Sequence, residues 1–171
     1  MAEFPVLYNE EDRLRAVEQC GLLDTPDDPR FDRITRLAAY LTDAPIALVS
    51  LVATHRQWFK SRHGLATTET PRDMAFCNFA LVEPTIFVVE DATQDERFRT
   101  NPLVTGGPGI RFYAGMALTG LGGHRLGTLC VIDTIPRRLE PVQRRLFGDL
   151  AACASDVLRM VELELSSTAR Q

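Results

Sequence analysis

Cys77 is the residue whose chemistry depends most on its surroundings. It stands in the run Arg72-Asp73-Met74-Ala75-Phe76-Cys77. A thiol becomes a nucleophile when a nearby cation or a helix N-terminus lowers its pKa. Arg72 offers such a charge, but no histidine stands beside the cysteine, so a structural thiol is the plainer reading. Arg72 and Arg111 carry planar guanidinium groups suited to an anionic ligand. They are equally suited to internal ion pairs with Asp73, Asp91 or Asp133. Tyr113 supplies a ring and a hydroxyl near the small residues Gly115 and Ala117, either as core packing or as a ligand contact. Trp58 is more simply a packing anchor than a platform for a ligand. Asp133 is placed to fix a turn, and Asn101-Pro102 to organise a loop. His55, His63 and His124 sit in or beside turns at unrelated spacings, which does not make a metal site. No Ser-His-Asp pattern, GxxxxGK[ST] loop or HExxH helix occurs.

These side chains need a scaffold, and Arg111 to Asp133 is its centre. Phe112, Ala114, Met116 and Leu118 alternate with Tyr113, Gly115, Ala117 and Thr119. After Gly120-Leu121-Gly122-Gly123, Leu126, Thr128, Cys130 and Ile132 alternate with Gly127, Leu129, Val131 and Asp133. Period-two alternation puts each set on its own sheet face, and the glycines supply a hairpin connection. Both faces are largely apolar, which predicts a hairpin covered on both sides. Small strand residues mark close approach by something else, most simply a packed helix.

The rest of the chain reads around that hairpin. Glu10–Cys20 and Phe31–Leu41 have helical spacing. Ile46–Val52 is a continuous apolar strand, and Arg56–His63 forms a hairpin with it. The stretch 66–73 is a polar loop, Met74–Val82 a short helix, and Ile86–Glu90 a short strand. Asp91–Pro108 is a long connection of the kind that often carries function. Pro141 opens a helix running to about residue 165, with the stripe Val142, Leu146, Leu150, Cys153, Val157 and Val161. Its outer part, Val157, Val161 and Leu165, has the character of a dimer seam. The N-terminal helix with Leu14 and Val17 is its expected neighbour. The expected class is α+β, with terminal helices on one face of the sheet and the loops from Gly64 to Pro108 on the other.

Composition bounds the function. The 171 residues suffice for one domain, with 45% hydrophobic and 25% charged residues. A net charge of -4 argues against a nucleic-acid partner. No apolar run approaches the ~18 residues of a membrane span, and the acidic N-terminus lacks the order of a secretion signal. The expected location is the cytoplasm. Four scattered cysteines, Cys20, Cys77, Cys130 and Cys153, suggest reduced thiols and no disulfide frame. Cys130 and Cys153 read as small core residues.

At this point the chain resembles a GAF domain, a small-molecule sensor module. The likeness is to the subgroup found near the N-terminus of bacterial sensor histidine kinases and diguanylate cyclases or phosphodiesterases. The residues carrying it are Leu23-Asp24-Thr25-Pro26, Phe31-Asp32, Arg56-Gln57-Trp58-Phe59-Lys60-Ser61, Glu69-Thr70-Pro71-Arg72-Asp73 and Phe76-Cys77. They continue with Asn101-Pro102-Leu103-Val104, Ile110 to Gly115 and Leu126 to Asp133. The resemblance spans nearly the whole chain as a single domain, 1–171. Its parts are N-terminal helices (10–41), sheet and pocket loops (44–135) and a C-terminal helix (141–165). It implies a profilin/PAS-like antiparallel sheet of about six strands, a pocket away from the terminal helices, and a homodimer through those helices. An output domain in a longer chain is a further expected partner.

Two positions depart from the family pattern. Phe79 stands where Phe-Cys-x-His members carry histidine, and Ala53 where many carry an acidic residue. The candidate ligand-binding residues are Trp58, Arg72, Cys77, Phe79, Asp91, Arg111 and Tyr113, with an unidentified small molecule as ligand. No catalytic residue, metal or cofactor is expected. The alternative is a GAF-type thiol enzyme, such as a free methionine sulfoxide reductase. It would need Cys77 and Cys130 as its pair, at a spacing that does not resemble that group. Bilin attachment usually shows a Cys-His pair, absent here, and the cyclic-nucleotide signature of another GAF branch is also missing.

Overall fold

The computed structural model describes residues 3–170. Helix α1 is Glu10–Gln19 and helix α2 is Pro29–Thr42. Asp28 starts α2 by accepting a hydrogen bond from the Arg30 N–H, with proline at the first helical position. The strands are β1 (Ile46–Val52), β2 (Arg56–His63), β3 (Glu69–Pro71), β4 (Phe87–Val89), β5 (Phe112–Thr119) and β6 (Arg125–Asp133). Between them lie the short helices α3 (Cys77–Val82) and α4 (Pro102–Thr105), and α5 (Pro141–Ala169) closes the chain. The six strands form one sheet in the order β3-β2-β1-β6-β5-β4. Every pair is antiparallel.

The organising hairpin pairs β5 with β6 near the sheet's centre, and β6 lies against β1. Val49, Leu51, Trp58, Phe112, Ala114, Leu129 and Val131 turn to one face. There they meet Val17 of α1, Phe31, Ile34 and Ala38 of α2, and Phe147, Ala151 and Leu158 of α5. Leu48, Phe59, Tyr113, Cys130 and Ile132 turn to the other face, under Phe76, Leu81, Phe98, Val104 and Ile110. The two-layered arrangement therefore stands as expected: helices on one side, the connections between β2 and β5 on the other.

Four local features differ from the sequence reading. The segment read as a loop before Cys77 adds the edge strand β3 and a single 3-10 turn, Arg72–Met74, so α3 begins later. The pairing of β1 with β2 shifts register at Val49/Ser50, leaving Lys60 as an extra residue of β2. Both Lys60 and Ser61 then reach the helical side, where Lys60 donates to Thr25 and Ser61 to Asp32. Gly115 and Gly127 of the hairpin do not seat a helix. A Cβ at Gly115 would lie 2.8 Å from the Tyr113 ring, and one at Gly127 would collide with the Ser50 backbone of the adjacent strand.

The facing of α5 is the fourth. Its buried stripe is Phe147, Ala151, Ala154, Leu158 and Val161. Cys153, read as a core residue, is exposed, as are Val142 and Leu146. The alanines, which carry little hydrophobic signal, let the helix lie close to the sheet. Of the expected stripe, Val142, Leu146 and Cys153 are turned outward, while Leu150 and Val157 are partly covered. Val161, expected in a dimer seam, belongs to the protomer's own core.

Candidate functional site

The sheet face opposite the terminal helices carries polar side chains in its middle. Ser50 of β1, Gln57 of β2, Tyr113 of β5 and Thr128 of β6 all reach one atom, the sulfur of Cys77. Gln57 Nε2 donates to it at 2.8 Å, Tyr113 Oη at 3.0 Å and Thr128 Oγ1 at 3.0 Å. Ser50 Oγ is 3.7 Å from the sulfur and 2.9 Å from Thr128 Oγ1. Each hydroxyl has one proton. If Thr128 spends its proton on the sulfur, Ser50 donates to Thr128, and the chain of donors is closed. Thr70 Oγ1 lies 3.5 Å from Gln57 Oε1, on the far side of that amide.

Cys77, Cys130, Tyr113, Ser50 and Thr128 are all buried. Burial pushes the Cys77 thiol up, but Cys130 and the hydroxyls of Thr128, Tyr113 and Ser50 outweigh it and bring the group down to about 7. Cys130 goes the other way: bonding to Cys77, together with burial, holds it well above a normal thiol. Tyr113 is likewise raised, by burial and by the neighbouring sulfurs, so its hydroxyl keeps its proton. The two thiols therefore titrate as a pair, and Cys77 is the one that gives up its proton first.

A cavity of about 150 Å³ is lined in part by Cys77. Its walls are Ile46, Leu48, Phe59, Leu65, Phe76, Leu103, Gly107, Pro108, Ile110 and Ile132, with Gln57, Thr67, Thr70, Cys77 and Tyr113 as polar points. No Asp, Glu, Lys, Arg or His lines it. A groove of about 890 Å³ between α1, α5 and the β5–β6 turn is larger. That groove is an open surface depression with charged walls, among them Asp12, Arg15, Glu162 and Arg170.

Of the seven candidate residues, the cavity brings together Cys77 and Tyr113. Trp58 lies on the opposite sheet face, in the helical core. Phe79 is half-buried and stacks on Phe87, with Phe98 edge-on at 4.8 Å and the Arg97 guanidinium 5.6 Å above its ring. Phe79 thus fills with packing the position where other members carry a histidine. Asp91 accepts from the Thr93 N–H and hydroxyl and caps a 3-10 turn. Arg111 donates to the carbonyls of Val104 and Ile110, tying the long connection to the sheet.

Arg72 is buried, and its partner is not one of the nearby aspartates. Its Nη2 lies 2.8 Å from Glu10 Oε1 of α1, and its guanidinium stacks 4.7 Å from the Phe4 ring. Glu10 also takes two bonds from the fully buried Arg13, at 2.8 and 2.9 Å. Burial raises the Glu10 carboxyl, but Arg13 and Arg72 overcome it and hold the group below its ordinary value. Arg72 Nε in turn donates to Asn78, the residue after Cys77, whose amide donates to the Arg72 and Ala75 carbonyls. Ser50, Gln57 and Thr128 were not singled out as site residues in the sequence, and Cys130 was weighed only as the partner of Cys77 in a thiol enzyme. Their signal was there: polar side chains in the middle of strands otherwise apolar enough to be buried on both faces.

The GAF domain family model matches residues 28–157. The chain belongs to the GAF domain family. It is 45% identical over 137 residues to a cyclic di-GMP phosphodiesterase of Pseudomonas aeruginosa, a match covering 80% of this chain and 23% of that protein. The GAF domain is thus matched to less than a quarter of that relative's length. Among solved structures it resembles the GAF domain of an Acinetobacter phosphoenolpyruvate-protein phosphotransferase. The TM-score is 0.60 at 16% identity, covering 90% of this chain and 94% of that one. It also resembles the free methionine-R-sulfoxide reductase of Neisseria meningitidis, with a TM-score of 0.60 at 15% identity, covering 96% and 99%. At these identities the structural likenesses establish the fold. No helix among the described residues is long and apolar enough to cross a membrane.

Proposed function

We propose that this GAF domain is a regulatory module of bacterial signal transduction. It holds a small uncharged molecule in the cavity under α3 and passes its occupancy to the terminal helices without turning it over. The observation that carries the reading is the cavity wall: mostly aliphatic and aromatic, with a few polar points and, among the described residues, no Asp, Glu, Lys, Arg or His. A wall of this kind favours a compact apolar body with one or two hydrogen-bonding groups and disfavours an anion, whose desolvation it does not offset. The match to part of a cyclic di-GMP phosphodiesterase supports a regulatory place within a longer protein, with that activity in another segment.

The path outward runs through Asn78 and Arg72 to Glu10 on α1. A ligand that shifts α3 acts on that chain, and it couples to the helices only as far as it prefers one of their arrangements. A thiol enzyme acting on a zwitterionic amino-acid sulfoxide is less well supported, because the cavity offers neither ammonium nor carboxylate a charged partner.

The test is thermal unfolding with indole or phenol, compared with benzoate of similar size. A ligand at about 100 times its dissociation constant adds ~2.7 kcal/mol of stability. The neutral probes are expected to raise the midpoint and benzoate to leave it unchanged. Stabilisation by benzoate alone, or native mass spectrometry showing a retained anionic ligand, would overturn the reading.

A further inference from the structure

We propose that Cys77 and Cys130 form a redox centre in which the Cys77 sulfur attacks a small uncharged organic hydroperoxide arriving through the apolar cavity, and Cys130 then closes a disulfide with it. The inference rests on the cavity as the route of entry, and adds a covalent chemistry to it.

The geometry is the ground for it. A thiol sulfur is a weak acceptor. Gln57, Tyr113 and Thr128 nevertheless bring three full-strength donors onto one buried sulfur, at 2.8, 3.0 and 3.0 Å. Donors buried against a weak acceptor are left poorly satisfied, which is costly. The same donors on a thiolate are charge-assisted bonds and are fully used. Cys130 is buried in the same cluster as Cys77, two residues along β6 from Thr128, which donates to this sulfur, so a second thiol lies beside the site. The cavity reaches Cys77 itself, which bulk solvent does not.

The reaction balances. The Cys77 thiolate attacks the terminal oxygen of ROOH; the S–O bond forms and the O–O bond breaks. The departing RO⁻ takes a proton from water and leaves as ROH. The Cys130 thiol then attacks the Cys77 sulfenic acid, forming the S–S bond and releasing water. Two electrons pass from the two sulfurs to the peroxide, which is the oxidant.

The experiment exposes the reduced protein to tert-butyl hydroperoxide, traps free thiols with iodoacetamide in denaturant, and follows each cysteine by peptide mass spectrometry. The peptides of Cys77 and Cys130 are expected to be lost together as one cross-linked species, at least ten times faster than the exposed Cys153 is oxidised. The rate should rise as the pH passes upward through about 7. The bulky anionic reagent DTNB should label Cys153 first in the native protein. Thr128→Val, which removes one donor, should slow the loss of Cys77 about tenfold. If that variant does not fold by circular dichroism, Tyr113→Phe carries the same readout. A Cys77 that stays alkylatable while Cys153 oxidises overturns the proposal, and so does an unchanged rate in a folded donor variant. Stabilisation by indole or phenol with Cys77 still reduced would sink the redox centre and leave the regulatory pocket standing. Rapid cross-linking without any such stabilisation would do the reverse.

Discussion

At the scale of single residues, the structure separates side chains of similar appearance. Arg72 and Arg111 read alike in the sequence, as possible anion binders or loop ties. Arg111 holds two carbonyls of its own connection, where the sequence offered an aspartate as its partner. Arg72 is held by Glu10, far away in the chain, and nothing local announces that partner. Cys77 and Tyr113, which line the cavity, were legible as candidates because a thiol and a phenol stand out. Their partners Ser50 and Thr128 were not, because a lone hydroxyl in a strand looks ordinary until the neighbouring strands supply its companions. Glu10 gives the sharpest prediction at this scale. It is the shared carboxylate of Arg13 and Arg72, both buried, and replacing it with a neutral amide leaves two buried cations short of a counter-charge. Glu10→Gln should cost about 3 kcal/mol at neutral pH, the low end for breaking a buried pair. The Glu10 pKa is lowered on folding, so its stabilisation is fully present above its ordinary value of 4.5 and disappears as pH falls through the lower folded value. Urea titrations should therefore show parent and variant converging in acid and separated at neutral pH. Equal midpoints at pH 7 would show that the carboxylate is not the counter-charge.

At the scale of elements, strands were more legible than helix faces. β1, β2, β5 and β6 announced themselves by alternation or by unbroken apolar runs, and both faces of the sheet were expected to be covered. The sheet therefore came out nearly whole, apart from the three-residue edge strand β3 and the bulge at Lys60, both too local for periodicity to register. The facing of α5 did not, because it has two apolar stripes. The stripe that packs includes Ala151 and Ala154, which carry little hydrophobic signal, and Leu146, Cys153 and Met160 of the other stripe are exposed. Phe112 tests the strand facing. It is fully buried between the hairpin and the terminal helices, so Phe112→Ala should cost ~3–5 kcal/mol. A loss under ~1 kcal/mol in denaturant titration would mean that Phe112 does not face the helical core.

At the scale of the whole molecule, the outward stripe of α5 leaves apolar side chains exposed. Leu146, Leu150, Cys153, Val157 and Met160 follow one another at alternating steps of four and three, the repeat of a coiled-coil seam. Leu146, Cys153 and Met160 are exposed, while Leu150 and Val157 are partly covered by the protomer's own core. We propose a second copy of the GAF domain as the occupant, its α5 set against this one across a two-fold axis. This moves the seam expected from the sequence by part of a turn, since Val161 is spent inside the protomer. The arrangement also gives the cavity something to regulate, because α1, tied through Glu10 to the segment beside Cys77, shares the helical face of the sheet with α5. Leu146→Glu with Met160→Glu places like charges in the seam without touching the buried stripe. Light scattering at micromolar concentration should then show the parent near twice the 19.1 kDa chain mass and the double variant near that mass, with unchanged circular dichroism. A parent protein that already runs at the mass of one chain removes the seam and, with it, a signalling route through paired helices.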